Sequence, residues 1–229
     1  MATIFDPFFL SHRALHREIG RVAGDRSGLL VDIGCGTQPY RRYFPDARYL
    51  GIEVPQASVH GSAKRADVYF DGLHIPLRDG AADHVLCTQV LEHVFEPDVF
   101  LDEVFRILAP GGTLLITVPF VWDEHEQPYD FARYSSFGLH HLAGVHGFTV
   151  VLARRTLAKA SLFAQLWLAY LFKVFRPLPG PVRKPVLAAF SLVTNITGLI
   201  FGMLLPDSPD LYLDNVMVWK KDQTAMESP

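Results

Sequence analysis

Apolar positions in this chain fall into short continuous runs separated by amphipathic stretches. Residues 29–33, 49–53, 84–88 and 113–118 are such runs, and apolar runs of this length bounded by turn residues read as buried parallel strands. Val68-Tyr69-Phe70 reads as a further short strand, 148–152 as a sixth and 211–219 as a last one. Helical spacing marks the intervening segments. Leu10, Ala14, Leu15 and Ile19 share one face of a helix over 7–22, with Asp6 as its cap and Pro7 at the first helical position. Phe100, Leu101, Val104, Phe105 and Leu108 share a face over 97–108, which Pro110-Gly111-Gly112 should close. The strand over 84–88 should lead into a helix that begins Val90-Leu91-Glu92-His93, and Ser135-Ser136 should cap another that runs toward Gly147. Between Gly36 and the second strand there is room for only a short helix centred on 40–44, because Pro45 stops it. Strands alternating with helices predict an α/β domain built on a parallel sheet.

Candidate chemistry sits at the carboxyl ends of these strands, where open α/β sheets bind ligands. The first strand ends in Asp32-Ile33-Gly34-Cys35-Gly36, a turn whose glycines let a ligand lie against the backbone. The third glycine of a dinucleotide fingerprint is absent from this turn, which runs on through Gln38, so a nicotinamide-dependent oxidoreductase is disfavoured. Glu53 ends the second strand at the position from which an acid accepts both hydroxyls of a ribose; a solvated loop acid is the alternative. Thr88-Gln89, at the end of the fourth strand, should face the same crevice.

Taken in order, Asp32-Ile33-Gly34-Cys35-Gly36, Gly51-Ile52-Glu53, Asp71-Gly72-Leu73-His74-Ile75-Pro76-Leu77, Val90-Leu91-Glu92-His93-Val94 and Leu108-Ala109-Pro110-Gly111-Gly112 resemble the class I S-adenosylmethionine-dependent methyltransferases. The resemblance is to their type 11-like branch and covers 29–118. It implies a doubly wound, seven-stranded Rossmann-like sheet of order 3-2-1-4-5-7-6, with S-adenosylmethionine as cofactor. Asp32, Gly34, Cys35, Gly36, Glu53, Asp71, Gly72, Thr88 and Gln89 would surround that cofactor. In this family Asp71 would offer a side-chain acceptor, and Gly72 a backbone donor, to the adenine edge.

The least generic stretch is 120–134, a loop dense in acids, histidine and aromatic residues at the end of the fifth strand, where this architecture places its acceptor. His125 and Asp130 are the acid/base candidates. His93 is either a base or a helix residue hydrogen-bonded across the crevice, and Arg133 either orients an anionic acceptor or pairs with an acid. Consecutive Asp123, Glu124, His125 and Glu126 rarely converge on one ion, so no metal site is expected. The resembled branch carries a similar stretch in enzymes with cell-envelope or glycan-related substrates.

Composition changes the picture at one place. Hydrophobic residues make up 49% of the 229 residues and mean hydropathy is +0.17, high for a soluble enzyme. The excess lies in 157–205, an apolar insertion ahead of the last strand whose two apolar stretches, 157–175 and 186–205, are each long enough to cross a bilayer. The insertion carries +5 while the rest of the chain carries −8, which points to an anionic membrane surface. A basic turn on the far side opposes the positive-inside tendency, so a hairpin lying in the interface is favoured over a spanning one; a soluble lid or a dimer interface is the alternative. The expected organisation is an N-terminal helical segment (1–28), an S-adenosylmethionine-binding domain (29–156), the helical hairpin (157–205), the last strand (206–221) and a tail (222–229). A net charge of −3 makes nucleic acid an improbable partner. Residues 1–10 lack a basic leader, and Cys35 and Cys87 read as buried thiols, so a cytoplasmic protein, peripheral or monotopic at the membrane, is expected. The expected activity is methyl transfer to an oxygen or nitrogen of a small-molecule, lipid or glycan acceptor. A non-catalytic S-adenosylmethionine-binding or membrane scaffold protein is the competing reading.

Overall fold

The computed structural model describes residues 2–55, 65–206 and 210–222. They form two compact units, one of Ile19–Pro119, Glu124–Arg154 and Asn215–Pro229, the other of Met1–Glu18, Phe120–Asp123 and Arg155–Asp214.

The first unit is built on a seven-stranded sheet whose strands are β1 (Gly28–Ile33), β2 (Ala47–Glu53), β3 (Val68–Tyr69), β4 (Ala82–Thr88), β5 (Leu108–Pro119), β6 (Phe148–Arg155) and β7 (Asp214–Lys221). Their order is β3-β2-β1-β4-β5-β7-β6, as the family resemblance implies. The pairs β1–β2, β1–β4, β2–β3 and β4–β5 are parallel, so the carboxyl ends of β1, β2 and β4 open side by side. β1 is exposed at Gly28 and buried from Leu30 to Ile33. Continuous burial of this kind is why the run lacks period-two alternation. Val31, Ile33, Val85, Ile116 and Val118 form one core with Leu101, Val104 and Ile107 of the amphipathic helix Pro97–Ile107, and Trp219 closes it. Each large side chain so buried contributes about 1.5–3 kcal/mol.

Two helix boundaries differ from the sequence expectation. After β4 the chain makes only a single 3₁₀ turn, Leu91–His93, because Val94 is already extended and Pro97 starts a new helix at its first turn. That later helix also ends early: Leu108 turns extended and opens β5, which continues through Pro110-Gly111-Gly112 with a shift of register against β4. Numbering the helices in chain order, these are α1 (Phe9–Ala23), α2 (Pro97–Ile107), α3 (Ser136–Val145), α4 (Ser161–Val174) and α5 (Gly180–Leu204). Ser135 caps α3 as expected, its hydroxyl accepting from the Gly138 N–H at 3.1 Å.

In the second unit, Thr156 and Asp214 clasp the two ends of the inserted segment. The Thr156 hydroxyl donates to Asp214 at 2.6 Å, and the two backbones exchange hydrogen bonds through Thr156 N to Asp214 O and Leu213 N to Thr156 O. The apolar helices α4 and α5 each bury one amide. Gln165 accepts from Ser11 N and donates to the Pro7 carbonyl, both at 3.0 Å, while Asn195 donates to the carbonyls of Ile4 (2.8 Å) and Asp6 (3.0 Å). Buried amides bonded to backbone groups hold the N-terminal segment to the hairpin. The opposite faces stay open: Phe163, Trp167 and Tyr170 on α4 and Val193, Phe201 and Met203 on α5 are exposed. Although 157–175 is apolar throughout, helix α4 has only 14 residues, too few to cross a hydrocarbon core of about 30 Å; α5, at 25 residues, has the length.

Candidate active site

A crevice of about 620 Å³ lies within the sheet-bearing unit, at the carboxyl ends of β1, β2 and β4. This volume is typical of small-molecule sites. One wall consists of Gly34 and Gly36, then Glu53, then Asp71 and Gly72, with Gln89 between this wall and the next. The loop after β1 is held by Ile52, whose carbonyl accepts from both Gly34 N and Cys35 N, and by Glu53, whose carboxylate accepts from Gly36 N at 3.0 Å. Gln38, in the turn that lacks a third glycine, takes a left-handed backbone (φ +56) and sends its amide to the Arg65 carbonyl. That path runs directly over Gly51, where a Cβ would stand 2.5 Å from Gln38 Nε2 and 2.9 Å from Cys35 Sγ. The glycine of Gly51-Ile52-Glu53 therefore exists to let the β1 loop lie flat, an exchange of one glycine position for another.

Asp71 shapes its own turn. Its Oδ1 accepts from Leu73 N (2.8 Å) and His74 N (2.7 Å), and these hydrogen bonds, with a further one from His74, hold its carboxyl down at about 2. Asp71 is thus an anionic acceptor at the crevice at any ordinary pH.

The facing wall belongs to the turn after β4 and to the 120–134 loop. The Glu92 carbonyl accepts from Phe131 N (2.8 Å) and Ala132 N (3.2 Å), so the returning loop is docked on the Leu91–His93 turn by its backbone. Docking there brings the imidazoles of His93 and His125 edge to face, 4.8 Å between centroids at 75°. Each ring has Nδ1 engaged. His93 Nδ1 lies 2.8 Å from the Tyr129 carbonyl, which can only accept, so Nδ1 carries the proton. His125 Nδ1 lies 3.2 Å from Asp130 Oδ2. Arg133 Nη2 also lies 3.5 Å from His125 Nδ1, and in His93 the unprotonated nitrogen is Nε2. The Glu92 carboxylate, fully buried, stands 3.8 Å from His93 Nε2.

Of the residues singled out in the sequence, Gly34, Gly36, Glu53, Asp71, Gly72, Gln89, His93 and His125 share the crevice wall, whereas Asp32, Cys35, Thr88 and Asp130 do not. Asp32 lies beneath the loop, where burial raises its carboxyl to about 7 against the hydrogen bond it accepts from the Tyr49 hydroxyl. Cys35 packs behind Gly51 with its thiol pushed up to about 12, chiefly by burial and then by the neighbouring acids. Both cysteines are free and buried. Asp130 is 3% exposed and gripped at both oxygens by Arg133, at 2.6 and 2.7 Å. Burial works to raise its carboxyl, but the Arg133 hydrogen bonds, the His125 N–H and the charges of both residues outweigh it and hold Asp130 at about 2. So low a value fits the residue that orients His125, and corrects the expectation of Asp130 as an acid or base. Arg133 pairs with this acid, which settles the choice left open for it. Of the consecutive acids, Asp123 belongs to the other unit and pairs there with Lys173 at 2.7 Å. Sequence reasoning passed over Glu92; its signal was an acid inside the apolar run Val90-Leu91-Glu92-His93-Val94, where a charge must have a reason to be buried.

A glycine-turned β1 loop, an acid ending β2 and an acid-glycine pair after β3 thus share one crevice of a Rossmann-like 3-2-1-4-5-7-6 sheet. Residues 31–116 match the family of methyltransferase domains, and this segment holds the motifs that resemble the class I S-adenosylmethionine-dependent methyltransferases. A protein of Mycolicibacterium smegmatis described as a probable S-adenosylmethionine-dependent methyltransferase is 30% identical over 118 residues, covering 49% of this chain and 45% of the relative. The malonyl-[acyl-carrier protein] O-methyltransferase of Alcanivorax borkumensis is 32% identical over 101 residues, covering 39% and 34%. The chain thus spans less than half the length of these curated relatives. In fold it is similar to phosphoethanolamine N-methyltransferase 2 of Haemonchus contortus in complex with S-adenosyl-L-methionine, with a TM-score of 0.59 at 15% identity, covering 91% of this chain and 52% of that one.

The wall fits the domain's cofactor, S-adenosylmethionine. At Gly36 (φ +50) an added Cβ would meet nothing within 4 Å, so the crevice reaches the bare backbone there. Glu53, beside it, is 7% exposed and presents a carboxylate suited to paired ribose hydroxyls. Replacing Glu53 by alanine should remove a charged acceptor and also release the Gly36 N–H, weakening cofactor binding by roughly 1.5–3 kcal/mol. Titration calorimetry with S-adenosylmethionine measures this, and an unchanged affinity would show that the ribose lies elsewhere.

Proposed function

We propose that this chain transfers the methyl group of S-adenosylmethionine to a hydroxyl of a lipid or glycan acceptor at an anionic membrane surface. The observation that carries the reading is the pair of imidazoles, each held at Nδ1, that share one crevice with Gly36, Glu53 and Asp71. When bound, the cofactor supplies an electrophilic methyl group on a sulfonium. The protein's part is alignment, since in-line transfer depends above all on placing the acceptor atom against the methyl carbon. A hydroxyl must also give up its proton, whereas a neutral amine attacks with its own lone pair. Two oriented imidazoles beside the acceptor position are therefore better suited to an oxygen than to a nitrogen.

The membrane part of the reading is supported by the open faces of α4 and α5. Trp167 and Tyr170 stack at 5.4 Å among exposed apolar neighbours, and Arg176 and Lys184 are exposed where the two helices meet. Only 22% of the most apolar window of α5 is buried. Helix α4 is too short to span, so a hairpin lying in the headgroup zone is the form we favour, with the aromatic pair at interfacial depth. Each large side chain inserted contributes about 1.5–3 kcal/mol and each basic residue at the surface about 1 kcal/mol.

Purified protein incubated with methyl-labelled cofactor and a membrane extract should place label in a lipid or glycan fraction, and it should sediment with anionic liposomes. Added salt should weaken sedimentation without abolishing it, because the apolar contribution is unscreened. Replacing Arg176, Arg183 and Lys184 together by glutamine should lower sedimentation and leave cofactor affinity intact. Protein that binds cofactor but labels no fraction would favour the non-catalytic reading; protein that remains in the supernatant and monodisperse would remove the membrane from it.

A further inference from the structure

The geometry points to a divalent transition-metal site formed by Glu92, His93 and His125 in the acceptor wall of the crevice. It rests on the reading of a hydroxyl acceptor and names how that hydroxyl is activated.

One potential ligand atom from each of the three residues lies within 4.8 Å of the others. The donors come from two segments brought together by the Glu92 carbonyl, so their convergence is a property of the fold. A first-row ion binds imidazole and carboxylate at about 2.0–2.2 Å, which asks the three side chains to close by roughly an ångström from this geometry. Their surroundings match what such ligands need. Metal-bound histidines nearly always donate the other ring N–H to a carbonyl or carboxylate, and that is the arrangement of His93 Nδ1 with the Tyr129 carbonyl and His125 Nδ1 with Asp130. Asp130, itself locked by Arg133, then supports the ligand as a positioning residue. The buried Glu92 carboxylate brings a negative charge to the three-residue cluster. Two imidazoles and one carboxylate select a borderline ion such as Zn²⁺, Co²⁺ or Fe²⁺ over Mg²⁺ or Ca²⁺. Three protein ligands also leave positions open toward the crevice, the pattern of catalytic sites.

An acceptor hydroxyl bound at an open position would have its pKa lowered by the ion. Its proton leaves to solvent. The oxygen then forms the bond to the methyl carbon as the sulfur–methyl bond breaks, and that electron pair stays on sulfur, so the sulfonium becomes a thioether. With the metal present, Nε2 of each histidine is a ligand and the proton never resides on it.

The test uses untagged full-length protein, freed of metal with a chelator and titrated with CoCl₂ while visible absorption and bound cobalt are followed. The expected result is one Co²⁺ per chain with ligand-field bands, and displacement of the bands by ZnCl₂. His125→Ala and Glu92→Gln should each weaken binding at least about 100-fold, Asp130→Asn by about 10–100-fold as a supporting partner, and His140→Ala on α3 not at all. Circular dichroism identifies any variant that fails to fold. His93→Asn, a second ligand variant at a less buried position, then repeats the measurement. No stoichiometric Co²⁺, or binding indifferent to His125 and His93, would overturn the site. S-adenosylhomocysteine affinity, measured on the same metal-free protein, separates the two ideas: cofactor binding without metal leaves the methyltransferase reading standing, while metal binding without cofactor defeats that reading alone.

Discussion

Replacing His125 by alanine is expected to lower turnover by about 10²–10⁴-fold while leaving the Kd for S-adenosylmethionine nearly unchanged. The size follows from what the side chain does: positioned groups that help remove a proton in the transition state contribute in this range. The selectivity follows from the placement. His125 stands on the wall formed by the 120–134 loop, while Gly36, Glu53 and Asp71 line the crevice elsewhere, where Gly36 N donates to Glu53 and Leu73 N to Asp71. A loss that falls on kcat with the cofactor Kd intact marks an interaction made in the transition state. His93→Ala should behave in the same way, and the double variant should lose little more than either single one, because the two rings act on one acceptor atom. Stopped-flow or quenched single-turnover assays with labelled cofactor give the comparison directly. A parallel loss of cofactor binding would instead show that His125 is part of the framework of the crevice.

The largest stability effect is expected from Asp130→Ala, about 3–5 kcal/mol. The Asp130 side chain is 3% exposed and Arg133 holds it with two short hydrogen bonds, so deletion of the carboxylate takes the charge partner from a largely buried guanidinium. The same carboxylate gives the protein a distinct acid limb. Its folded value of about 2 lies below the unfolded value of about 3.9. The stabilisation is therefore fully present above about pH 4 and disappears as pH falls toward 2, amounting to about 2 kcal/mol. Denaturant melts from pH 7 to pH 2 should show wild type losing its advantage over Asp130→Ala across the lower part of that range. Parallel curves at every pH would mean that the pair contributes nothing. Turnover in this variant should fall as well, since His125 loses the carboxylate 3.2 Å from its Nδ1.

How far the sequence reached can be argued from particular residues. The strand runs and the Gly34-Cys35-Gly36 turn were legible because burial on both faces of a parallel strand, and close backbone approach at its end, impose local residue choices that no neighbour has to explain. Glu53 was legible by distance along the chain from that turn, since one crossover sets the spacing. Helix ends were less so. Val94 and Leu108 turn extended for reasons of pairing and packing that periodicity does not record, and α4 stops at Val174 although apolar residues flank it.

What the sequence by itself determined is therefore the sheet, its order through family resemblance, and the cofactor wall, all built from segments whose neighbours in space are neighbours in the repeating strand–helix pattern. Only the tertiary structure decided the acceptor wall. His93 and His125 are far apart in the chain, and they meet because the Glu92 carbonyl accepts from Phe131 and Ala132 and so fixes the path of an irregular loop. The same folding moved Asp130 from candidate base to the support of His125, and made the unremarked Glu92 a neighbour of both imidazoles. Loop residues carry no periodicity from which such contacts could be read, because each position answers to a different partner.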